Sequence, residues 1–435
     1  MTMPAVPAHP RLSRQLAPCL AAPLLLSALL AAPSAHATDG YFLNGVGAKA
    51  EGEAGVAIAL PQDALSIAAN PAAATEVGHR LDIGADIFVP DRSATISGNQ
   101  LPAPYNIDGH YSGNGANPFI LPNFAYVRPL GSRLALGIAV YGNGGMNTDY
   151  KTNPFANLGG SGPAGVDLKQ IFITPTLAAK VIPGHSIGVS PIVVIQSFRA
   201  TGIQPFAAYS ADPAHFANLG VSWSTGAGVR IGWLGHFGPA LTVGAVYESK
   251  VWAGRFSKYA GLFAGQGGFD VPASWGGGVA VKASPRLTLA ADVKRIAYSG
   301  VASIGDTLAP LFAGVPFGAQ GGPGFGWRDI TAAKFGASYV ASPRLTLRAG
   351  YGWNGNPVPA SQALLNILAP GVVQNHLTAG ATWKTPGGVE VSGFVMHALG
   401  HTVRGNGAIP APFGGGEADI ALAETSVGLS AGIPL

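Results

Sequence analysis

The chain has 435 residues, a formal net charge of +4, and 11% charged against 48% hydrophobic residues. So few charges of nearly balanced sign exclude a nucleic-acid surface, and no nucleic-acid partner is expected. Cys19 is the single cysteine, which excludes a disulfide framework and a cysteine-based metal centre.

Met1 to Ala37 reads as a secretory signal. Arg11 and Arg14 form its positive start, Leu16 to Leu30 its apolar stretch, and Ala35-His36-Ala37 a small-x-small cleavage pattern. Cleavage there removes Cys19, and the remaining chain begins at Thr38.

Thr38 to Val77 is rich in Gly and Ala and has no sustained period of two. Asp63 is placed to cap a short helix over Ala64 to Ala69, which Asn70-Pro71 ends. Pro71 then opens a second short helix through Ala72, Ala73 and Ala74. A segment this small cannot bury a core of its own and needs a container.

From Arg80 onward the pattern alternates. Leu345, Leu347, Ala349, Tyr351 and Trp353 share one face, against Thr346, Arg348, Gly350 and Gly352. Leu287, Leu289, Ala291 and Val293 likewise oppose Thr288, Ala290, Asp292 and Lys294. Strands are expected near 80–90, 119–128, 134–146, 167–181, 186–200, 221–234, 241–252, 272–283, 286–298, 328–341, 344–353, 375–385, 389–403 and 419–435. No run of about 18 apolar residues is present to make a membrane-spanning helix. An exported, cysteine-free chain of about fourteen alternating strands is expected to be all-β, a transmembrane antiparallel β-barrel. Short turns such as Pro183-Gly184-His185 alternate with long loops, as periplasmic and extracellular ends do. The localisation that follows is the outer membrane of a Gram-negative cell, with outer-membrane lipid around the wall.

Several long loops are apolar, including Leu308 to Ala313, Ala363 to Ala369, and Tyr259-Ala260-Gly261-Leu262-Phe263. Exposed apolar patches mark binding surfaces, so Leu262 and Phe263 are candidate contacts for a hydrophobic ligand. Packing of the loops on one another as a cap is the alternative, and both can hold. Gly350-Tyr351-Gly352-Trp353-Asn354-Gly355 fits a dinucleotide fingerprint, but Pro357 and Pro359 forbid the helix it requires. No metal-ligand cluster, catalytic triad or cofactor motif is found, so no cofactor and no enzyme activity is expected.

The order of several motifs resembles the FadL/TodX family of outer-membrane transporters for long-chain fatty acids and aromatic hydrocarbons. They are Gly40-Tyr41-Phe42-Leu43-Asn44, Asn70-Pro71-Ala72, Gly326-Trp327-Arg328-Asp329 and Asn356-Pro357-Val358-Pro359-Ala360. The resemblance implies a fourteen-stranded barrel closed by a small N-terminal hatch, which divides the chain into signal 1–37, hatch 38–77 and barrel 78–435. It also implies a kinked third strand beside the hatch that opens the wall sideways. Here Gly142, Gly144 and Gly145 stand in that strand, and Asn70, Pro71 and Ala72 are expected to abut the bend, with Tyr126 facing Gly144. The family's basic residues that bind a fatty-acid carboxylate point to Arg328, expected to face inward, with Arg199 as a weaker second and Phe42 among the apolar contacts. The implied function is passive uptake of hydrophobic compounds by a single-chain channel, that is, a monomer. A general diffusion porin and a lipid-acting barrel enzyme are the alternatives. The non-aromatic end, Gly432-Ile433-Pro434-Leu435, departs from the usual barrel terminus.

Overall fold

The structure, a computed structural model, describes residues 39–435, so the expected signal Met1 to Ala37 lies outside the described residues. The strands are β1 (Arg80–Ser97), β2 (Gly109–Ser112), β3 (Phe119–Leu130), β4 (Leu134–Asn147), β5 (Gly165–Ile182), β6 (His185–Thr201), β7 (Ser222–Phe237) and β8 (Leu241–Glu248). They continue as β9 (Trp252–Ala253), β10 (Ser274–Lys282), β11 (Leu287–Ile296), β12 (Ile330–Ser342), β13 (Leu345–Asn354), β14 (Asn375–Lys384), β15 (Glu390–Val403) and β16 (Glu417–Pro434). The short β2 and β9 pair only with β1 and β7, leaving 14 strands in antiparallel sequence order. β16 pairs β1 from Arg80↔Pro434 to Ser97↔Glu417 and closes the barrel.

The alternation sets the two faces. On β13, Leu347, Tyr351 and Trp353 are exposed on the outer wall, while Gly352 and Asn354 are buried inside. On β11, Val293 is exposed and Asp292 buried. A closed sheet leaves no unpaired edge and satisfies the backbone without water, which is what a lipid-spanning wall needs. Among the described residues no helix is long and apolar enough to cross a membrane. Strand limits differ from the sequence reading chiefly at β1, which runs to Ser97 because Arg92, Ala94 and Ile96 keep the inward parity against β16.

Residues 39–77 pack against the inward-facing side of this wall. Asp63 caps a 3-10 helix at Ala64–Ala68 by accepting from Ser66 N, and Asn70 caps Pro71–Thr75 by accepting from Ala72 N. The Asp63 cap and the helix opened by Pro71 stand where the sequence puts them, and the capping role of Asn70 is added by the structure. The rest of the segment's backbone has no ladder of its own, so the wall supplies partners. Asp292 accepts from the amides of Ala57 at 2.8 Å and Ile58 at 2.9 Å. Asp82 accepts from Ala64 N at 2.9 Å, and Thr378 Oγ1 from Ala54 N at 2.9 Å. Ion pairs add to these: Lys49–Glu390 at 2.7 Å, Arg348–Glu53 at 3.2 Å and Lys334–Asp39 at 2.7 Å.

Two corrections concern where this segment docks. Asn70-Pro71 abuts β6 and β7, not the bend of β4. A Cβ on Gly188 would lie 2.4 Å from the Pro71 carbonyl carbon, and one on Gly232 would lie 2.0 Å from Asn70 Oδ1. The bend is met instead by Tyr41 to Leu43. Leu43 N donates to Asn143 O at 3.1 Å and Gly145 N donates to Tyr41 O at 3.0 Å.

Candidate functional site

The glycines of β4 coincide with a break in the wall's pairing. β3 and β4 pair from Leu130↔Leu134 up to Asn123↔Tyr141 and no further. β3 still pairs β1 to Phe119, and β4 still pairs β5 to Asn147, with a bulge between Gly142 and Gly144. Pro122, which has no N–H to donate, lies at the edge of the break. Above it the wall is joined again: Asn114 bridges Asp149, and Gly115 N donates to Asp149 O at 3.0 Å. Arg92 ties the upper rim, with Nη1 on Asn147 Oδ1 at 2.9 Å and Nη2 on Asn117 Oδ1 at 2.6 Å. The second-strand residue Tyr126 pairs with Ile138, below this window, so it does not face Gly144.

Inside the wall lies a chamber of about 90 Å³, lined by Phe42, Leu43, Leu65, Tyr141 and Val246 together with charged groups. Arg230 Nε donates to Glu248 at 2.8 Å, and Arg230 Nη2 to the Tyr141 hydroxyl at 2.9 Å. Lys334 is held by Asp39 at 2.7 Å and also donates to the Asn44 carbonyl. One oxygen of Asp292 accepts from the two amides of the N-terminal segment, while the other has no hydrogen-bond partner among the described residues. Lys294 differs. It lines the chamber with its ammonium 5.5 Å from the centre of the Phe42 ring, and among the described residues it forms no ion pair. The chamber therefore offers an apolar wall beside one uncommitted cation, the arrangement a carboxylate with a hydrocarbon tail fits.

A chain of aromatic rings leads from the outer loops to this chamber. Phe263 lies 4.9 Å from Phe269, Phe269 lies 6.4 Å from Tyr41, and Tyr41 stacks on Phe42 at 4.9 Å. Tyr298 and Trp327 flank Tyr41 at 5.5 and 6.0 Å. Phe42 and Phe263, 221 positions apart in the chain by their numbers, are thus joined through two rings. Leu262 is half-buried against the same cluster. The apolar loop 363–369 is largely buried, and the carbonyls of Ile367 and Leu368 accept from Tyr150 and Thr148 at 2.8 Å each. The loops cap the barrel, while Phe312 at 49% exposure remains on the surface.

The basic residues expected at the ligand stand elsewhere. Arg328 is exposed and lines none of the cavities described here. β12 begins at Ile330, so the alternation that would turn Arg328 inward does not reach it; Gly326 takes a positive φ and Trp327 is the residue buried there. Arg199 is half exposed on the outer wall and lies 3.9 Å from Asp167. No bulge interrupts β6 around it to reverse its direction. Lys294, Arg230 and Lys334, the cations that do face the chamber, were legible only as inward-parity residues among many. Asn70, Pro71 and Ala72 are buried, on the β6–β7 side. Among the described residues no group of His, Cys, Asp and Glu is arranged to hold a metal.

The fold is that of known transporters. A crystal structure of a Pseudomonas aeruginosa FadL homologue superposes with a TM-score of 0.68 at 16% identity, covering 91% of this chain and 99% of that one. The P. putida toluene transporter TodX gives 0.65 at 17% identity, covering 90% and 99%. The Ralstonia pickettii toluene transporter TbuX gives 0.60 at 17% identity, covering 89% and 98%. No curated protein sequence matches the chain. The sequence profile of the outer membrane protein transport proteins (OMPP1/FadL/TodX) matches residues 28–392, and the chain belongs to that family.

Proposed function

We propose that this outer-membrane channel takes up hydrophobic compounds by passive diffusion, with long-chain fatty acids as the preferred class. The observation that carries the preference is Lys294, which lies beside Phe42 and, among the described residues, forms no ion pair, whereas Arg230 pairs with Glu248 and Lys334 with Asp39. A carboxylate gains a charge-assisted contact there, and its tail lies against apolar side chains.

The route has three stages. Apolar surface on the loops collects the ligand, and the ring series from Phe263 to Phe42 conducts it to the chamber. Residues 39–77 act as a hatch whose tip, Tyr41 to Leu43, lies along the inner edge of β4. Its displacement opens the way between β3 and β4 into the membrane. Leaving sideways avoids exposing the tail to water, which costs about 25 cal/mol per Å² of apolar surface.

The test is uptake of radiolabelled oleate and of toluene by Gram-negative cells lacking their own channel of this kind, with and without this protein. Faster uptake of both, with saturation at lower concentration for oleate, is expected. Equal rates with and without the protein would refute the reading.

A further inference from the structure

Arg92 is buried, yet among the described residues its guanidinium donates only to neutral groups. Nη1 reaches the carbonyl and the Oδ1 of Asn147 at the end of β4, and Nη2 reaches Asn117 on the β3 side of the unpaired stretch. Asn117 is fixed in turn by its own amide on the Pro90 carbonyl at 2.6 Å. The Arg92 carbonyl accepts from Gly113 N at 2.9 Å, and Gly113 O accepts from Asp149 N at 3.0 Å. One cation thus straps the top of the window, where the ladder between β3 and β4 is missing. A buried cation among neutral partners is costly and needs a counter-charge close by.

Glu424 on β16 is placed to supply it. The register pairs Arg92 with Leu422 and Pro90 with Glu424, so Arg92 and Glu424 are diagonal neighbours on the inward face. Glu424 is 1% exposed, and among the described residues neither of its carboxylate oxygens has a hydrogen-bond partner. The Nε of Arg92 has none either. Both side chains open on one cavity of about 20 Å³, closed by Phe88, Met146, Trp327 and Leu422. Glu424 is the one acid among the described residues that line it. Asp91 and Asp149 also act on Arg92, but Asp91 is exposed and Asp149 half-buried, outside this cavity. A water needs about 10–15 Å³ and two to four polar partners. Arg92 Nε offers a donor here and Glu424 an acceptor.

We propose that Glu424 is the positioning residue for Arg92: through one water in this cavity it keeps the guanidinium strapped across the top of the window, and so limits the girth of the ligand that can leave. The limit on girth rests on the sideways route proposed above; the hold on Arg92 does not.

Hydrogen exchange on the full chain in lipid nanodiscs tests it. In Glu424→Gln, which removes the charge and keeps the shape, the amides of Gly113, Gly115 and Asp149 should exchange at least tenfold faster than in wild type. Arg92→Gln should do the same, and the double variant should exchange no faster than either single one, because both remove one interaction. Glu424→Asp, which keeps the charge, should restore most of the protection. Uptake of a pyrene-labelled fatty acid relative to oleate should rise at least fivefold in Glu424→Gln, a ratio that a residue merely filling the wall would not move. Unchanged exchange in Glu424→Gln overturns the proposal, and so do effects of the two substitutions that add. Faster exchange with an unchanged uptake ratio overturns the limit on girth and leaves the hold on Arg92 standing. If a crosslink across the window also leaves oleate uptake intact, it is the sideways route that falls.

Discussion

The carbonyl oxygen of Tyr41 occupies the space that a side chain on Gly144 would need. A Cβ built there would lie 1.8 Å from that oxygen, and Gly144 has a φ of +152°. The contact joins the start of the hatch to β4, whose pairing with β3 stops at Asn123↔Tyr141. Glycine is required at this position both for the backbone conformation and for the approach of the second chain segment.

Gly144→Ala should therefore undock the tip while leaving the barrel closed. The strain is of order 1–3 kcal/mol, and it falls on a contact made by a few hydrogen bonds. Limited proteolysis should cut between residues 39 and 46 at least tenfold faster than in wild type, with no change in the barrel's circular dichroism. Unchanged proteolysis would mean that the tip is held by its other contacts alone.

Lys294→Met should weaken oleate binding about ten- to a hundredfold, the equivalent of roughly 1.5–3 kcal/mol for a sheltered charge-assisted contact. Binding of toluene should change little. Arg328→Ala should alter neither, because Arg328 is exposed and away from the chamber. Competition binding with both ligands on all three proteins checks this. Loss of oleate binding in Arg328→Ala alone would restore Arg328 to the site and remove Lys294.

Lys334 is buried and held by Asp39 and the Asn44 carbonyl. Asp39→Asn should destabilise docking of the segment by about 3 kcal/mol or more, because it leaves a buried ammonium without its counter-charge. Adding Lys334→Met should recover most of that loss. Hydrogen exchange at residues 40–46 reads the effect, and a double variant no better protected than Asp39→Asn would show that the pair does not hold the hatch.

The barrel was readable because alternation is a property of single strands. Leu347 and Tyr351 announce the lipid face whatever strand lies beside them. The cap at Asp63 was readable for the same reason, since it acts within three residues. What the sequence left open depends on relations between distant segments. That Asn70 meets Gly232 rather than Gly144 follows from how the hatch is threaded, and no local pattern encodes it. Arg328 was misplaced because parity was carried two residues past the start of β12, across the Gly326 turn. Lys294 was seen as inward-facing, but that it forms no ion pair among the described residues emerges only when Arg230 is seen to take Glu248 and Lys334 to take Asp39.

Sideways exit is the central claim, and a reversible lock across the window tests it most directly. Gly142 and Ile120 both face outward beside the unpaired stretch, and a Cβ on Gly142 meets nothing closer than 4.0 Å. Gly142→Cys and Ile120→Cys would be joined by a short bis-methanethiosulfonate crosslinker and freed by reductant, in a chain whose single native cysteine, Cys19, is replaced by Ser. Oleate uptake should fall at least tenfold on crosslinking and return on reduction, while oleate binding in the chamber persists. Uptake at the wild-type rate through a verified crosslink would contradict the lateral route and place the exit straight through to the periplasm.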